Sequence, residues 1–370
     1  MNFEKTEFEK SLQIATRYNH SHSQAQTSAL WGSTSRRRFL RRGGMFLGGM
    51  ALAGAVGACS SESAPLAETG ATQASAGGAA PAATKQLRVG YQKSSTVLNL
   101  LKNQKLLEKR FEAEAFPITW NEFAAGPQML EALNVGSIDV AYTGETPPIF
   151  AQAADAPLVY VAWEDVGSLA EAILVQKDSP IQSVAELKGK KVALNKGSNV
   201  HYLLVKALEE AGLQYSDIET AYLPPGDARS AFEQNSVDAW VIWDPFQGAA
   251  EKQLGARTLR DGKGIARNRG FYLATKSFAD SQPDVLKAVL EEAETISTFA
   301  KENPAEVSKF LSNELGIPTD VLDLVESRRG YGIQPITDEV VTYQQDIADT
   351  FYELQLIPKE IDVSTVIWNS

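Results

Sequence analysis

The stretch LRVGYQKSSTVLNLLKNQKLLEKR, residues 87–110, decides the fold. Residues 87–91 read as a short strand, and Gln92, Lys93, Ser94 and Ser95 form a polar turn after it. From residue 96 to 110 the apolar side chains Val97, Leu98, Leu101 and Leu106 recur at helical spacing. The same unit repeats downstream. Residues 118–123 read as a strand, Gly126-Pro127 opens a helix that stops near Gly136, and residues 138–142 form the next strand before a helix over 146–153. The order βαβαβα at this spacing predicts an α/β fold with a mostly parallel sheet and helices on both faces.

A second block of the same rhythm begins near Ser179-Pro180. It holds a strand over 191–194 and a helix over 198–211, which keeps Leu203, Leu204, Ala207, Leu208 and Ala211 on one face until Gly212 ends it. Residues 218–223, the helix after Pro225 and residues 238–243 continue the pattern. The tail is helical: Val285, Leu286, Val289, Leu290, Ala293, Ile296 and Ala300 trace one stripe, and Asn303-Pro304 starts another helix with proline at its first position. Two α/β blocks and a helical tail predict two lobes around a cleft, with ligands beyond the carboxyl ends of the strands.

The strand-to-helix turns are rich in donors. Besides residues 92–95 they include Thr143-Gly144-Glu145-Thr146 and Lys196-Gly197-Ser198-Asn199. Ordinary capping explains any one of them. Three turns converging on one cleft point to an anion, because a helix N-terminus offers unpaired N–H groups and a favourable dipole. Trp243 ends a strand and is a candidate cleft wall, whereas Trp240, on the opposite face, belongs to a core. Arg229 is placed either to reach the cleft or to pair with a surface carboxylate.

Signals for catalysis and metals are scarce. Beyond residue 58 there is one histidine, His201, read as a surface or capping residue, so a His/Cys metal cluster is not expected. No nucleophile elbow, P-loop or dinucleotide fingerprint occurs, and Gly262-Lys263-Gly264 is a turn. Glu209-Glu210 and Glu291-Glu292 read as helix-surface pairs, which leaves Glu145 and Asp244 as the acid/base candidates. No metal, cofactor or catalytic residue is expected.

Residues 35–41 are a basic block, and the uncharged residues 43–58 are too short for a membrane span. Together they read as a secretory signal of twin-arginine type ending at the single cysteine, Cys59. Val56-Gly57-Ala58-Cys59 resembles a lipobox, so Cys59 is expected to carry lipid and to start the mature chain, while Val-Gly-Ala also suits ordinary signal peptidase and a soluble mature form. Residues 60–84, almost free of large apolar side chains, read as a flexible tether. Residues 1–58 hold eight Lys/Arg and three Asp/Glu, so their removal takes the formal charge from −11 to −16. An acidic body argues against a nucleic-acid partner but not against a small anion.

Residues 87 to about 368 resemble the aliphatic sulfonate-binding proteins of ABC importers. The stretches that carry the likeness are GYQKSS from Gly90, FAAGPQMLEALNVGSID from Phe123, YTGETPPIFAQAA from Tyr142, SPIQSVAELKGKKVALNKGSNVHYLL from Ser179, YLPPGDARSAFEQNSVDAWVIWDPF from Tyr222 and FYELQLIPKEID from Phe351. Residues 163–169 and 267–269 depart from the family pattern, in reach of the ligand's tail. The resemblance implies a type II periplasmic-binding fold, with residues 86–177 plus 270–370 as lobe I and 178–269 as lobe II. It implies a monomeric binding protein rather than an enzyme, delivering sulfonate from the periplasm to a permease and its ATPase while lipid-anchored to the membrane. It places Gln92, Lys93, Ser94, Ser95, Thr143 and Gly144 on one wall. Gly197, Ser198 and Asn199 close from the other, with Trp243 against the tail. The same fold specific for taurine, nitrate or a pyrimidine, a sensor subunit, and an extracytoplasmic enzyme on this scaffold stay open as alternatives.

Overall fold

The computed structural model describes residues 85–369. The expected export signal, Cys59 and the tether lie outside the described residues. The chain builds two sheets, and the order in which it enters them explains the cleft. β1 (Leu87–Tyr91), β2 (Ile118–Glu122) and β3 (Val140–Gly144) run parallel, with β1 in the middle. β4 (Leu158–Asp165) carries the chain to a first crossing over residues 166–170. In the second sheet β5 (Glu171–Val175) lies antiparallel to β8 (Ala239–Trp243). There β6 (Lys191–Leu194) is parallel to both β7 (Glu219–Tyr222) and β8. β9 (Arg257–Asp261) pairs antiparallel with β5, and residues 262–268 cross back. β10 (Arg269–Thr275) then inserts antiparallel between β3 and β4, and β11 (Ile333–Gln334) adds an edge to β4.

Each sheet is therefore mixed rather than mostly parallel. β4, β5 and β10 are buried, mainly apolar strands and β9 is a short, polar one, and all four pair antiparallel beside the parallel cores. The first crossing also precedes the expected lobe boundary at 177–178, because β5 is hydrogen-bonded into the second sheet.

Side-chain periodicity settles what covers each face. The helix Pro283–Glu302 packs its stripe (Leu286, Val289, Ala293, Ile296, Ala300) beside the helix Thr96–Gln104, in the same core as Leu87, Val89 and Tyr272 of the first sheet. Leu203, Leu204, Ala207 and Leu208 of the helix Asn199–Glu210 pack with Val192, Leu194 and Val241 of the second sheet. Trp240 is 1% exposed and meets Phe232, as a core residue should. The expected helix over 96–110 is broken instead. Lys105, at φ 54°, divides it into Thr96–Gln104 and Leu106–Arg110.

The lobes touch on two sides. Phe351, in the helix Asp338–Glu353, packs against His201 and Tyr202 of the second lobe at ring distances of 5.1 and 6.3 Å. Elsewhere Arg328, last residue of the helix Thr319–Arg328, pairs with Glu251 and approaches Asp244 at 3.5 Å.

Candidate functional site: an anion cleft between the lobes

The carboxyl ends of β1, β3, β6 and β8 meet around a cavity of about 50 Å³. The first lobe contributes Gln92, Ser94, Thr143 and Gly144, and the second contributes Ser198, Asn199, Trp243 and Asp244. Both crossings reach it as well, through Val166 and Ala170 on one and Asn268 on the other. Ser198 and Asn199 open a twelve-residue helix whose first N–H groups have no carbonyl partner within the helix. Trp243 stands with Val166, Ala170 and Val325 as the apolar part of the wall, its ring edge-on to Phe246 at 6.2 Å.

Arg329 is the one cationic side chain among the described residues that line this cavity. It follows directly on the helix Thr319–Arg328, and its side chain is 5% exposed. Nη1 donates to the Ser94 carbonyl at 3.2 Å, and Nη2 reaches Glu164 and, at 3.4 Å, the Tyr142 hydroxyl. Nε is buried and has no hydrogen-bond partner. A buried guanidinium edge without an acceptor is costly unless something else supplies one, and an anionic ligand does. Gly270 makes the arrangement possible: a Cβ there would overlap the Tyr142 hydroxyl. Gly126 does the same for Thr143, whose Oγ1 would meet a Cβ.

Behind the wall, Asn199 Nδ2 donates to Glu171 and, at 3.0 Å, to Asn268 Oδ1. Asn268 in turn donates to the Gly167 carbonyl at 2.9 Å, so one amide pair ties the second lobe to both crossings. Glu145 accepts the N–H groups of Asn268 and Arg269 at 3.3 and 2.9 Å. Burial pushes the Glu145 carboxyl up to about 7, against those bonds and Arg269. Burial and then the Glu145 charge hold Glu171 well above the usual carboxylate range. Asp244 accepts from Gly248 N at 2.9 Å, and burial raises it to about 6 despite Arg328.

This geometry has known relatives. The family model described as NMT1/THI5 like matches residues 111–307. A protein of Escherichia coli (strain K12) named as an aliphatic sulfonates-binding protein is 46% identical over 291 residues, 78% of this chain and 91% of its own. The chain belongs to the aliphatic sulfonate-binding protein family. Among solved structures of that family, the periplasmic aliphatic sulphonate binding protein from Escherichia coli superposes with a TM-score of 0.71 at 46% identity, over 77% of this chain and 92% of its own. The alkanesulfonate-binding protein from Xanthomonas axonopodis pv. citri, bound to MOPS, superposes at 0.75 with 41% identity, over 77% of this chain and 99% of its own.

In this member of the sulfonate-binding family, Gln92, Ser94, Thr143, Gly144, Ser198, Asn199 and Trp243 are brought together at the cavity. Three other expected positions lie off its wall. The Lys93 side chain is exposed, and Ser95 is buried with its Oγ turned to Gln92 N. Gly197, at φ 72°, packs against the Phe150 ring of the first lobe. His201 is fully buried rather than superficial, with Nδ1 accepting from Gly197 N at 3.3 Å and Nε2 facing the Tyr215 hydroxyl at 2.7 Å. It therefore fixes the turn that leads into Ser198. Arg229 pairs with Glu233 at 2.7 Å and takes no part in the cavity. Of the two acid/base candidates, Asp244 lines the cavity and Glu145 does not. Sequence reasoning missed Arg329 and its partners Tyr142 and Glu164, which lie 187 and 165 residues away along the chain. The signal it offered was the pair Arg328-Arg329 ahead of Gly330 and Gly332.

Proposed function

We propose that this chain is the extracytoplasmic solute-binding component of an ABC importer, capturing an aliphatic sulfonate between its lobes and handing it to a membrane permease driven by an ATPase. One observation carries the reading: the inter-lobe cavity combines an unpartnered edge of Arg329 and a helix N-terminus with the apolar wall of Trp243, Val166, Ala170 and Val325. A sulfonate has one charge spread over three acceptor oxygens and an apolar tail, so it satisfies both halves. Gln92, Ser94, Thr143, Gly144, Ser198, Asn199 and Arg329 hold the head group, and Trp243 lies against the tail. The lobes we assign are residues 85–165 plus 269–369 and residues 171–261, with the two crossings as hinges.

We read the chain as a binder and not an enzyme. Asp244, the expected acid/base candidate at the cavity, is engaged with Gly248 N and Arg328. We further propose that residues 35–58 export the chain by the twin-arginine route and that lipidated Cys59 anchors it, which keeps the donor near its permease.

Thermal unfolding of the purified protein with and without alkanesulfonates tests the ligand. At a concentration 100 times its Kd, a sulfonate adds about 2.7 kcal/mol of stability. No shift with any alkanesulfonate, alongside a shift with nitrate or a pyrimidine, would sink the assignment.

A further inference from the structure

Glu164 lies under the guanidinium that faces the cavity. Its carboxylate is fully buried and takes Arg329 Nη2, the Tyr142 hydroxyl and, at 3.4 Å, the Tyr272 hydroxyl. Burial pushes its pKa up, and Arg329 and the two hydroxyls pull it back. Two hydroxyl donors beside a permanently charged guanidinium hold it as the carboxylate. The pair is thus neutral before any ligand arrives.

Among the described residues that line the cavity there is no second cation, and Arg269, between the lining Asn268 and Gly270, is paired with Glu339 at 2.7 Å. Glu326, buried one turn before Arg329, accepts from the hydroxyls of Thr96 and Tyr331. Asp244 shares Arg328 with Glu251. Glu145 and Glu171 sit behind Asn199 and Asn268. An anion entering this cavity meets neutral donors and a guanidinium whose charge is already balanced.

Building on the sulfonate reading of the cleft, we infer that Glu164 is a specificity-determining residue: by neutralising Arg329 it restricts the site to singly charged anions and excludes dianions of the same shape. A single charge delocalised over three oxygens is met by hydrogen bonds alone. A second charge would find no unpaired cation and a ring of carboxyl groups, and Coulomb repulsion over a few ångströms in a site shielded from water outweighs one stronger hydrogen bond. A sulfonate keeps one charge at every physiological pH, whereas an alkylphosphonate of equal size gains its second charge around neutrality.

Calorimetric titration of the full chain with propane-1-sulfonate and propylphosphonate from about pH 6 to about pH 9 tests the rule. The ratio of the two affinities at each pH cancels titrations of the protein that affect both ligands equally, and those of Glu145 and Asp244, which weigh more on a dianion, are common to wild type and the Glu164 variants compared below. Phosphonate affinity should fall at least about tenfold relative to sulfonate as the second proton leaves. Glu164→Gln should narrow that gap, and Glu164→Asp, which keeps the charge, should restore it. A wild-type chain that binds the phosphonate dianion as tightly as the sulfonate overturns the proposal without any variant. A gap that Glu164→Gln leaves unchanged overturns the role of Glu164. Propane-1-sulfonate failing to bind at every pH would instead strike down the sulfonate reading on which the rule stands.

Discussion

His201 is the one histidine among the described residues, and it is a structural base held neutral. Because Nδ1 accepts the Gly197 N–H, the ring proton is assigned to Nε2, which meets the Tyr215 hydroxyl. Burial, with Lys196 adding repulsion, lowers its pKa from 6.5 to about 3. Between those two values the unfolded chain holds a proton that the folded chain refuses. Stability contributed by neutral His201 is therefore complete above pH 6.5 and is lost as pH falls toward 3, by about 1.4 kcal/mol per pH unit. Glu145 acts in the opposite sense: its folded pKa, about 7, lies above the usual 4.5, so its contribution is full below 4.5 and fades as pH rises through 7. His201→Asn keeps an acceptor for Gly197 and removes the titration. Urea unfolding of this variant across the acid range should show a shallower loss of stability than wild type, and identical slopes would refute the account.

At the scale of elements, the site depends on how strand ends meet helix starts. The end of β3 approaches the helix Asn199–Glu210 so closely that a Cβ on Gly144 would lie 2.8 Å from Asn199 Oδ1. Asn199 cannot yield freely, since its amide holds Glu171 and Asn268. Gly144→Ala should therefore hinder the approach of the lobes and weaken sulfonate binding by about tenfold or more, in line with the 1–3 kcal/mol typical of overpacking. Calorimetry checks this, and an unchanged Kd would show that the lobes need not approach so closely. The β-branched runs and helical stripes of the parallel units were legible in the sequence because each is a local pattern. β4, β5 and β10 were not identified, because strands buried on both faces lose the alternation that marks a half-exposed one, and β9 was not, because its polar RTLRD run carries little apolar signal. The helix break at Lys105 was likewise hidden, as a left-handed lysine leaves no compositional trace.

For the whole molecule, two crossings join lobes whose contacts extend to both sides of the cavity, and on the proposed function ligand capture closes one lobe on the other. Delivery then requires the donor to stay near its permease, the role proposed for Cys59. Cys59→Ala should move the protein from the membrane fraction to the soluble extract without changing sulfonate affinity. Continued retention on membranes would overturn the anchor. The net charge of −11 does not oppose an anionic ligand, because the local donors of the cleft, not the overall field, set its affinity.

By itself the sequence determined the α/β units, the two-block organisation, the family, and most of the donors contributed by strand-to-helix turns. These are properties of short segments, in which periodicity and capping are written directly. Only the tertiary structure decided where the cation is. Arg329 comes from the helical tail and meets Ser94, Tyr142 and Glu164 through contacts spanning 165 to 235 residues. It likewise turned Lys93 outward and buried His201. A side chain's partners across such distances depend on how sheets and helices stack, and no local pattern encodes that.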